Sequence, residues 1–350
     1  MIKARTRRII QGADYSAQEP RVLSMLCADE GMLQAYRDGK DLYVEIASIA
    51  MHLPYNECLE HFPKDTPIVQ KNGKWYYATE EEIAQNKYDK LADGETDTYK
   101  DGKERRGQAK KILLGIMYGR GEKSIAEQLG CSVEEARSIK DDVYEAFPRI
   151  KMFEKESATM VREKGFVTTL WGRKRRLPDY NLPNFELYYL DENGELDLSK
   201  PVHEVDAEVI RTKLANLFWS KRETEIQRLK DKENIGVVDN NSKIAAAQRQ
   251  IINSRVQGSA ADMSKLALIK IRNDEELIKR GVKPIIPVHD EILIETPLRY
   301  AKYVKARFAN DMETAAKPKL NIPVCCDVVS AERWYGDELD LDVLLEGLTD

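Results

Sequence analysis

Histidine and cysteine are scarce in this chain, and neither is placed for metal or disulfide chemistry. Four histidines and five cysteines (27, 58, 131, 325 and 326) make no C-x-x-C pair and no cluster at zinc spacing. That excludes a zinc ribbon and a disulfide framework, and a reducing, cytoplasmic setting is expected. No apolar run approaches the roughly 18 residues of a membrane span, so no membrane partner is expected. The basic opening MIKARTRRII lacks both an apolar stretch and a small-residue cleavage site, which excludes a secretory leader. No internal repeat is visible, which excludes a solenoid. A surplus of one charge is also missing: 55 basic and 60 acidic residues leave a net charge of −5. Taken as a whole, that balance argues against a polyanion partner.

What is present is 42% hydrophobic residues over 350 positions. That is enough to bury a core, in roughly two to three domains or one domain with a large insertion. Charge is also concentrated locally. Eight basic residues against three acidic ones lie between Lys100 and Lys123, and Arg173-Lys174-Arg175-Arg176 forms a second cluster. Phosphate binding follows local potential rather than the sum over a chain.

Residues 8–14 read as a strand running into a turn, and residues 16–28 as a helix. Ser16-x-x-Glu19 has the capping-box pattern there, and Pro20 still falls in the first turn. A helical pattern over 33–59 breaks near Pro54. Residues 62–103 are poorly periodic apart from KNGKWYY, a hairpin with Asn72-Gly73 as its turn. Helices are predicted over 105–119, 122–129 and 133–164, then two strands over 166–170 and 173–177 joined by Trp171-Gly172. Residues 180–245 show few positions that look buried, apart from a helix over 205–229, and read as an insertion. A long helix over 245–270 follows, then short strands over 285–288 and 292–295 around His289-Asp290-Glu291. A helix over 298–316 and a strand over 323–329 complete the pattern.

Three groups of residues are candidates for chemistry. Asp14 ends one apolar strand and Asp290 sits at the bend between two others. In one sheet they would converge at its rim, where a carboxylate pair makes sense around Mg²⁺, a hard cation that prefers oxygen ligands. Two such ions would clamp the entering and leaving oxygens of a phosphoryl displacement. Taken singly, Asp14 reads better as a turn residue and Asp290 as a hairpin residue. Arg106, Lys110, Leu114 and Tyr118 recur every four residues, so they lie on one face that drifts about 40° per step. That face has phosphate-binding cations at one end and a stacking ring at the other. On periodicity alone it is a solvated basic face. Arg249, Asn253 and Gln257 form a second such stripe, suited to the edges of a nucleic-acid minor groove or simply to water.

Together these segments resemble family A DNA polymerases, the bacterial DNA polymerase I type. Asp14-Tyr15-Ser16-Ala17-Gln18-Glu19-Pro20-Arg21 is similar to motif A of that family. Arg106-Gly107-Gln108-Ala109-Lys110, running on to Gly115 and Tyr118-Gly119, is similar to motif B, and Val288-His289-Asp290-Glu291 to motif C. Thr169-Leu170-Trp171-Gly172-Arg173, Leu177-Pro178-Asp179 and Asn253 with Gln257-Gly258-Ser259-Ala260-Ala261-Asp262 also match family segments, in the family's order. The resemblance leaves out about residues 62–100 and 181–245.

The resemblance implies an α+β right-hand polymerase. The palm is expected over 1–36 and 246–350, the mostly helical fingers over 37–180 with an irregular insert at 62–100, and an insertion over 181–245. It further implies template-directed addition of deoxynucleotides to a primer 3′ end, with two Mg²⁺ ions held by Asp14, Asp290 and the Tyr15 carbonyl. Arg106, Lys110, Leu114, Tyr118 and Glu19 would meet the nucleotide, and Glu19 with Tyr118 would exclude a 2′-hydroxyl. Arg249, Asn253, Gln257, His289 and Glu291 would meet primer–template DNA. Leu114 stands where the family usually has Phe or Tyr, Leu113 where Asn is common, and Ala17-Gln18 where Gln-Ile is common. With 13 residues before Asp14, thumb and exonuclease domains are expected on a second polypeptide. A split polymerase of this kind would suit a phage, working in the host cytoplasm. The alternatives are a truncated DNA-binding remnant without catalysis and a relative of single-subunit RNA polymerases.

Overall fold

The structure, a computed structural model, describes residues 2–62, 66–71, 74–90, 100–317 and 319–346. Two compact units divide them. One comprises Met1–Lys155, Thr168–Arg173 and Ile252–Asp350, and the other Glu156–Val167 and Lys174–Ile251. The expected α+β class is what the molecule has.

The first unit is built on a four-stranded antiparallel sheet in the order Lys283–Val288, Glu291–Pro297, Arg8–Tyr15, Cys326–Ala331. Period-two alternation in RIIQGADY and EILIETP gives each strand one apolar face. Ile9, Gln11, Ala13 and Tyr15 are buried on that face, together with their neighbours Ile292, Ile294 and Thr296. The helix Ala301–Thr314 packs on the sheet. It contributes Val304, Phe308 and Met312, all fully buried, and the Tyr15 hydroxyl donates to the Met312 carbonyl at 2.9 Å. Gln11 is a buried polar residue in this layer, but its amide is fully used. It donates to the Ala301 carbonyl at 2.9 Å and to Ser330 Oγ at 3.1 Å, and accepts from Thr296 Oγ1 at 2.8 Å. Satisfied in this way, a buried amide costs little and ties three strands to one helix.

Helices make up most of the rest of this unit. Leu42–Met51 packs on Lys100–Met117 and on Val133–Ala146, around Ile46, Ala47, Ala109, Ile112 and Leu113. Their starts follow capping chemistry. Asp29 accepts from Met32 N at 3.1 Å and Asp41 from Tyr43 N at 2.8 Å. Ser132 and Glu135 form a reciprocal capping box. The pattern breaks as expected near Pro54, between Leu42–Met51 and the short turn Tyr55–Cys58, and breaks once more upstream, between Glu30–Arg37 and Leu42–Met51. Gly39 takes φ 71° and Asp41 caps the next helix, so the chain turns there. The hairpin is present as Pro67–Lys71 against Lys74–Tyr77, with Lys71 opposite Lys74. Its turn residues Asn72 and Gly73 lie outside the described residues.

The expected capping box at Ser16 and Glu19 does not form. The helix begins at Gln18 after Ala17 at φ 51°, with no side-chain cap. The Ser16 hydroxyl donates instead to Asp327 Oδ2 at 3.2 Å, and Glu19 is taken by a tertiary partner.

The second unit corrects the impression that 180–245 buries little. Leu196–Pro201, Phe185–Leu190 and Ile235–Asp239 form a three-stranded sheet in that order. Phe185, Leu187, Val202, Ala207, Leu214, Leu229 and Ile235 make its core. The helix expected over 205–229 is two helices, Glu204–Ala215 and Trp219–Glu233.

Phe308 tests the packing beneath the sheet. Phe308→Ala is expected to destabilise the first unit by about 3–5 kcal/mol, the range for a fully buried aromatic. Denaturant unfolding followed by far-ultraviolet circular dichroism measures it.

Candidate active site

Asp14 is the penultimate residue of the central strand. Antiparallel pairing sets an acid directly opposite it on each side, Glu291 on one neighbour and Asp327 on the other. Asp290 occupies the turn before Glu291, next to His289 at φ 55°. The Tyr15 N–H donates to the Asp290 carbonyl at 3.4 Å, and the Asp14 and Asp290 carboxyl groups share a hydrogen bond. The two carboxylates expected to converge therefore do so. Asp327 was missed by sequence reasoning, although an acid on an apolar strand (CCDVV) was the available signal.

This concentration of charge has a measurable cost. Partial burial, the charges of Asp290 and Glu291, the shared hydrogen bond and the charge of Asp327 together push the Asp14 carboxyl up to about 6. Glu291 also has a partner of its own. Trp334 Nε1 donates to its Oε2 at 3.0 Å, and its Oε1 lies over Gly12, where a Cβ would meet it at 2.3 Å. A side chain at Gly12 would therefore displace the Glu291 carboxylate from this position. A cleft of about 390 Å³ opens beside these groups, lined by Gly12, Asp14, Asp290, Glu291 and Trp334 among others. His289 is exposed at its edge.

The cationic stripe lies on the helix Lys100–Met117, but its members differ. Arg106 Nε donates to Asp41 Oδ2 at 2.7 Å, a second amino group lies 3.8 Å from Glu60, and the guanidinium sits 5.4 Å from the Tyr43 ring. Lys110, one turn on, is exposed and has no ion-pair partner among the described residues. Leu114 is half-buried, whereas Leu113 is fully buried core. Tyr118 follows the helix end, just before Gly119 at φ 62°, and its hydroxyl donates to Glu19 Oε2 at 3.0 Å. Burial raises the Glu19 carboxyl above its ordinary range, opposed by hydrogen bonds from Tyr118 and Gln257, while Asp290 and Lys110 act on it by charge. Glu19 therefore links the helix face, the long helix and the acidic cluster.

The long helix Asn241–Asn273 supplies Gln257 to that link, and Asn253, half-buried one turn earlier, has its Oδ1 buried with no partner among the described residues. Arg249 falls in the second unit, exposed on its helix. The Thr169–Arg173 turn docks on the same helix. Leu170 N donates to Ser259 Oγ at 2.8 Å, and Arg173 donates to the Gly258 carbonyl at 2.9 Å and to Asp262 at 2.7 Å. A Cβ at Gly258 would lie 2.8 Å from Thr169 Cγ2.

Among the described residues, no three His, Cys, Asp or Glu side chains are grouped to hold one metal ion. The donors gathered at the strand end are carboxylate oxygens, the chemistry that suits a hard divalent cation. Their mutual repulsion at Asp14 is the strain that such a cation would relieve.

The family model for DNA polymerase family A matches residues 77–194 and 204–336. The chain belongs to DNA polymerase family A. It is 26% identical to DNA polymerase I of Streptococcus pneumoniae over 93% of this chain and 26% of that protein. It is 23% identical to DNA polymerase theta of Drosophila melanogaster over 93% of this chain and 11% of that protein, and 23% identical to the thermostable DNA polymerase I of Thermus aquaticus over 93% and 27%. The chain thus spans about a quarter of the length of the DNA polymerase I relatives. Its fold is similar to the POL domain of Pol1 from M. smegmatis, solved with DNA primer-template and dNTP. The TM-score is 0.63 at 20% identity, covering 95% of this chain and 41% of that one. No helix among the described residues is long and apolar enough to cross a membrane.

The raised Asp14 carboxyl carries a sign for stability. Its folded value of about 6 lies above the ordinary unfolded value of about 3.9. Between those values the native state binds more protons than the unfolded state, so the contribution to stability falls as pH rises through the window and the full penalty applies above it. Asp14→Asn is therefore expected to raise the Tm at neutral pH without divalent ions, with the gain fading below about pH 4. Differential scanning fluorimetry across pH reads it.

Proposed function

We propose that this chain is the catalytic portion of a template-directed DNA polymerase, adding deoxynucleotides to a primer 3′ end. The observation that carries the reading is the convergence of Asp14 and Asp290 at one strand end, with Lys110 close enough for its charge to act on Glu19 beside them. In this reading residues 1–36 and 246–350 form the palm, 37–180 the fingers, and 181–245 an insertion.

Asp14, Asp290 and the Tyr15 carbonyl would hold two Mg²⁺ ions. When bound, such ions neutralise charge on the phosphates and lower the barrier to displacement at phosphorus. The chain's own residues orient and select. Lys110, which has no ion-pair partner among the described residues, offers its ammonium to the triphosphate as a mobile point charge. Arg106 can add a planar fork, in competition with Asp41 and Glu60. Tyr118 presents its ring to the incoming base and sugar. Its bond to Glu19 closes the space a 2′-hydroxyl would need, with Leu114 beside it. Such exclusion has to be steric or polar, because an apolar wall rejects an added hydroxyl poorly. Asn253, Gln257 and Arg249 would meet the primer–template minor groove, and His289 and Glu291 the primer end. With these groups held in place, the primer 3′-hydroxyl gives up its proton to solvent, its oxygen bonds the α-phosphorus as the α–β phosphoanhydride bond breaks and pyrophosphate leaves, and catalysis is positioning plus charge stabilisation.

Extension of a primed template by the purified chain with Mg²⁺ is the direct test. Extension alone, or only after a thumb-bearing partner is added, upholds the reading. Failure under both conditions overturns it in favour of a DNA-binding remnant. Asp14→Ala and Asp290→Ala are each expected to cut incorporation by roughly 10³-fold with DNA binding nearly intact. Lys110→Ala is expected to raise the KM for nucleotide by about tenfold, as for one lost charge-assisted contact, and leave DNA affinity unchanged. Glu19→Ala is expected to narrow the preference for deoxynucleotides over ribonucleotides in single-turnover incorporation. Equal use of both by the unaltered chain would move the assignment to an RNA polymerase relative.

A further inference from the structure

The end of the central strand away from Asp14 holds a second concentration of charge, of opposite sign. Arg8 and Asp14 are six residues apart, about 20 Å along a strand. A cleft of about 730 Å³ opens there, walled by Arg7, Arg8, Lys279, Arg280 and Arg299, with no acidic residue in its lining. Part of this charge is already used. Arg8 pairs with Glu295 at 2.8 Å, and Lys279 and Arg280 pair with Glu276. Arg7 and Arg299 are exposed and have no carboxylate partner among the described residues. Arg7 sits at φ 58°, a conformation costly for a residue with a Cβ. The turn is tied to the cleft wall by Leu298 N, which donates to the Arg7 carbonyl at 3.0 Å.

Flat rings interleave with the cations. The Arg299 guanidinium lies 4.7 Å from the Tyr300 ring centroid, and Arg280 lies 5.7 Å from Tyr300 and 4.0 Å from Tyr303. Arg280 spends part of its N–H edge on Glu276, whereas Arg299 has no carboxylate partner among the described residues, and a free guanidinium edge matches two phosphate oxygens at once. Cations ordered by stacking, without acidic neighbours in the lining, favour phosphate. Exposed ring surface (Tyr303 is 44% exposed) gives bases a place to stack, which an acidic peptide would not use. We infer that this cleft is a phosphate-binding site separate from the carboxylate cluster, taking either the backbone of a nucleic-acid strand or a free polyphosphate.

The test uses the whole chain in EDTA, so that cations at the carboxylates make no contribution. Anisotropy of a labelled DNA duplex and calorimetry with inorganic triphosphate are each followed across salt concentration. Arg7→Gly/Arg299→Gln removes two unpaired cations and relieves the turn at position 7. If the cleft holds a strand, this variant should bind duplex roughly tenfold more weakly, with a log–log salt slope reduced by about 2. If it holds a free polyphosphate, triphosphate binding should fall roughly tenfold with duplex binding unchanged. Arg299→Gln alone, which leaves the Arg7 turn intact, should give about half the slope change. Unchanged affinity and slope for both probes would overturn the site. So would binding of poly-glutamate, but neither phosphate probe, at this cleft.

Discussion

Four carboxylates gathered at one end of a sheet repel one another, and they stay together because the Arg8–Tyr15 strand is paired on both sides in a single register. Asp14 faces Glu291 and Asp327 across that pairing, and Asp290 is carried by the turn just before Glu291. A slip of one residue would turn Asp14 into the apolar face and bring Ala13 or Tyr15 out. The register is held from both ends. Gln11 joins Thr296, Ser330 and the Ala301 carbonyl beneath the sheet. At the far end Glu295 is gripped by Arg5 and Arg8, which hold its carboxyl down to about 2.

The sheet thus separates charge along its length, with acids crowded at one end and cations at the other. The acids are left under-compensated, as the elevated Asp14 shows. Arg106 is held instead by Asp41, the cap of a neighbouring helix. One aspartate thereby serves as both a structural cap and an ion-pair partner. Glu19 is the hinge of the opposite logic. Freed from capping its own helix, it joins Tyr118 and Gln257 and brings three separate helical segments to one point.

Much of this was legible from residue order. The strands around Asp14 and Asp290, the helix bearing Arg106 to Tyr118, and the long helix bearing Asn253 and Gln257 all follow from periodicity, which depends on local geometry. The misreadings share one cause. Ser16 and Glu19 satisfy the pattern of a capping box, yet each finds a better partner far away in sequence, Asp327 and Tyr118. The second unit was hard to read because its core draws single residues from many short segments: Phe185 and Leu187 from one strand, Leu214 and Leu229 from separate helices. A charged surface hides so sparse an apolar pattern.

Residue types and their spacing by themselves determined which side chains are candidates for chemistry, and the family to which they are similar, because hydrophobic alternation and motif spacing are local properties of the chain. Only tertiary structure decided which of those side chains are free to act. Among the described residues Lys110 has no ion-pair partner while Arg106 is taken, Leu113 is fully buried while Leu114 is half-buried, and Asp327 lies opposite Asp14 though no motif marks it. Pairing partners are set by strand register and helix packing between residues hundreds of positions apart. The desolvation and charge at Asp14 arise only where those distant segments meet.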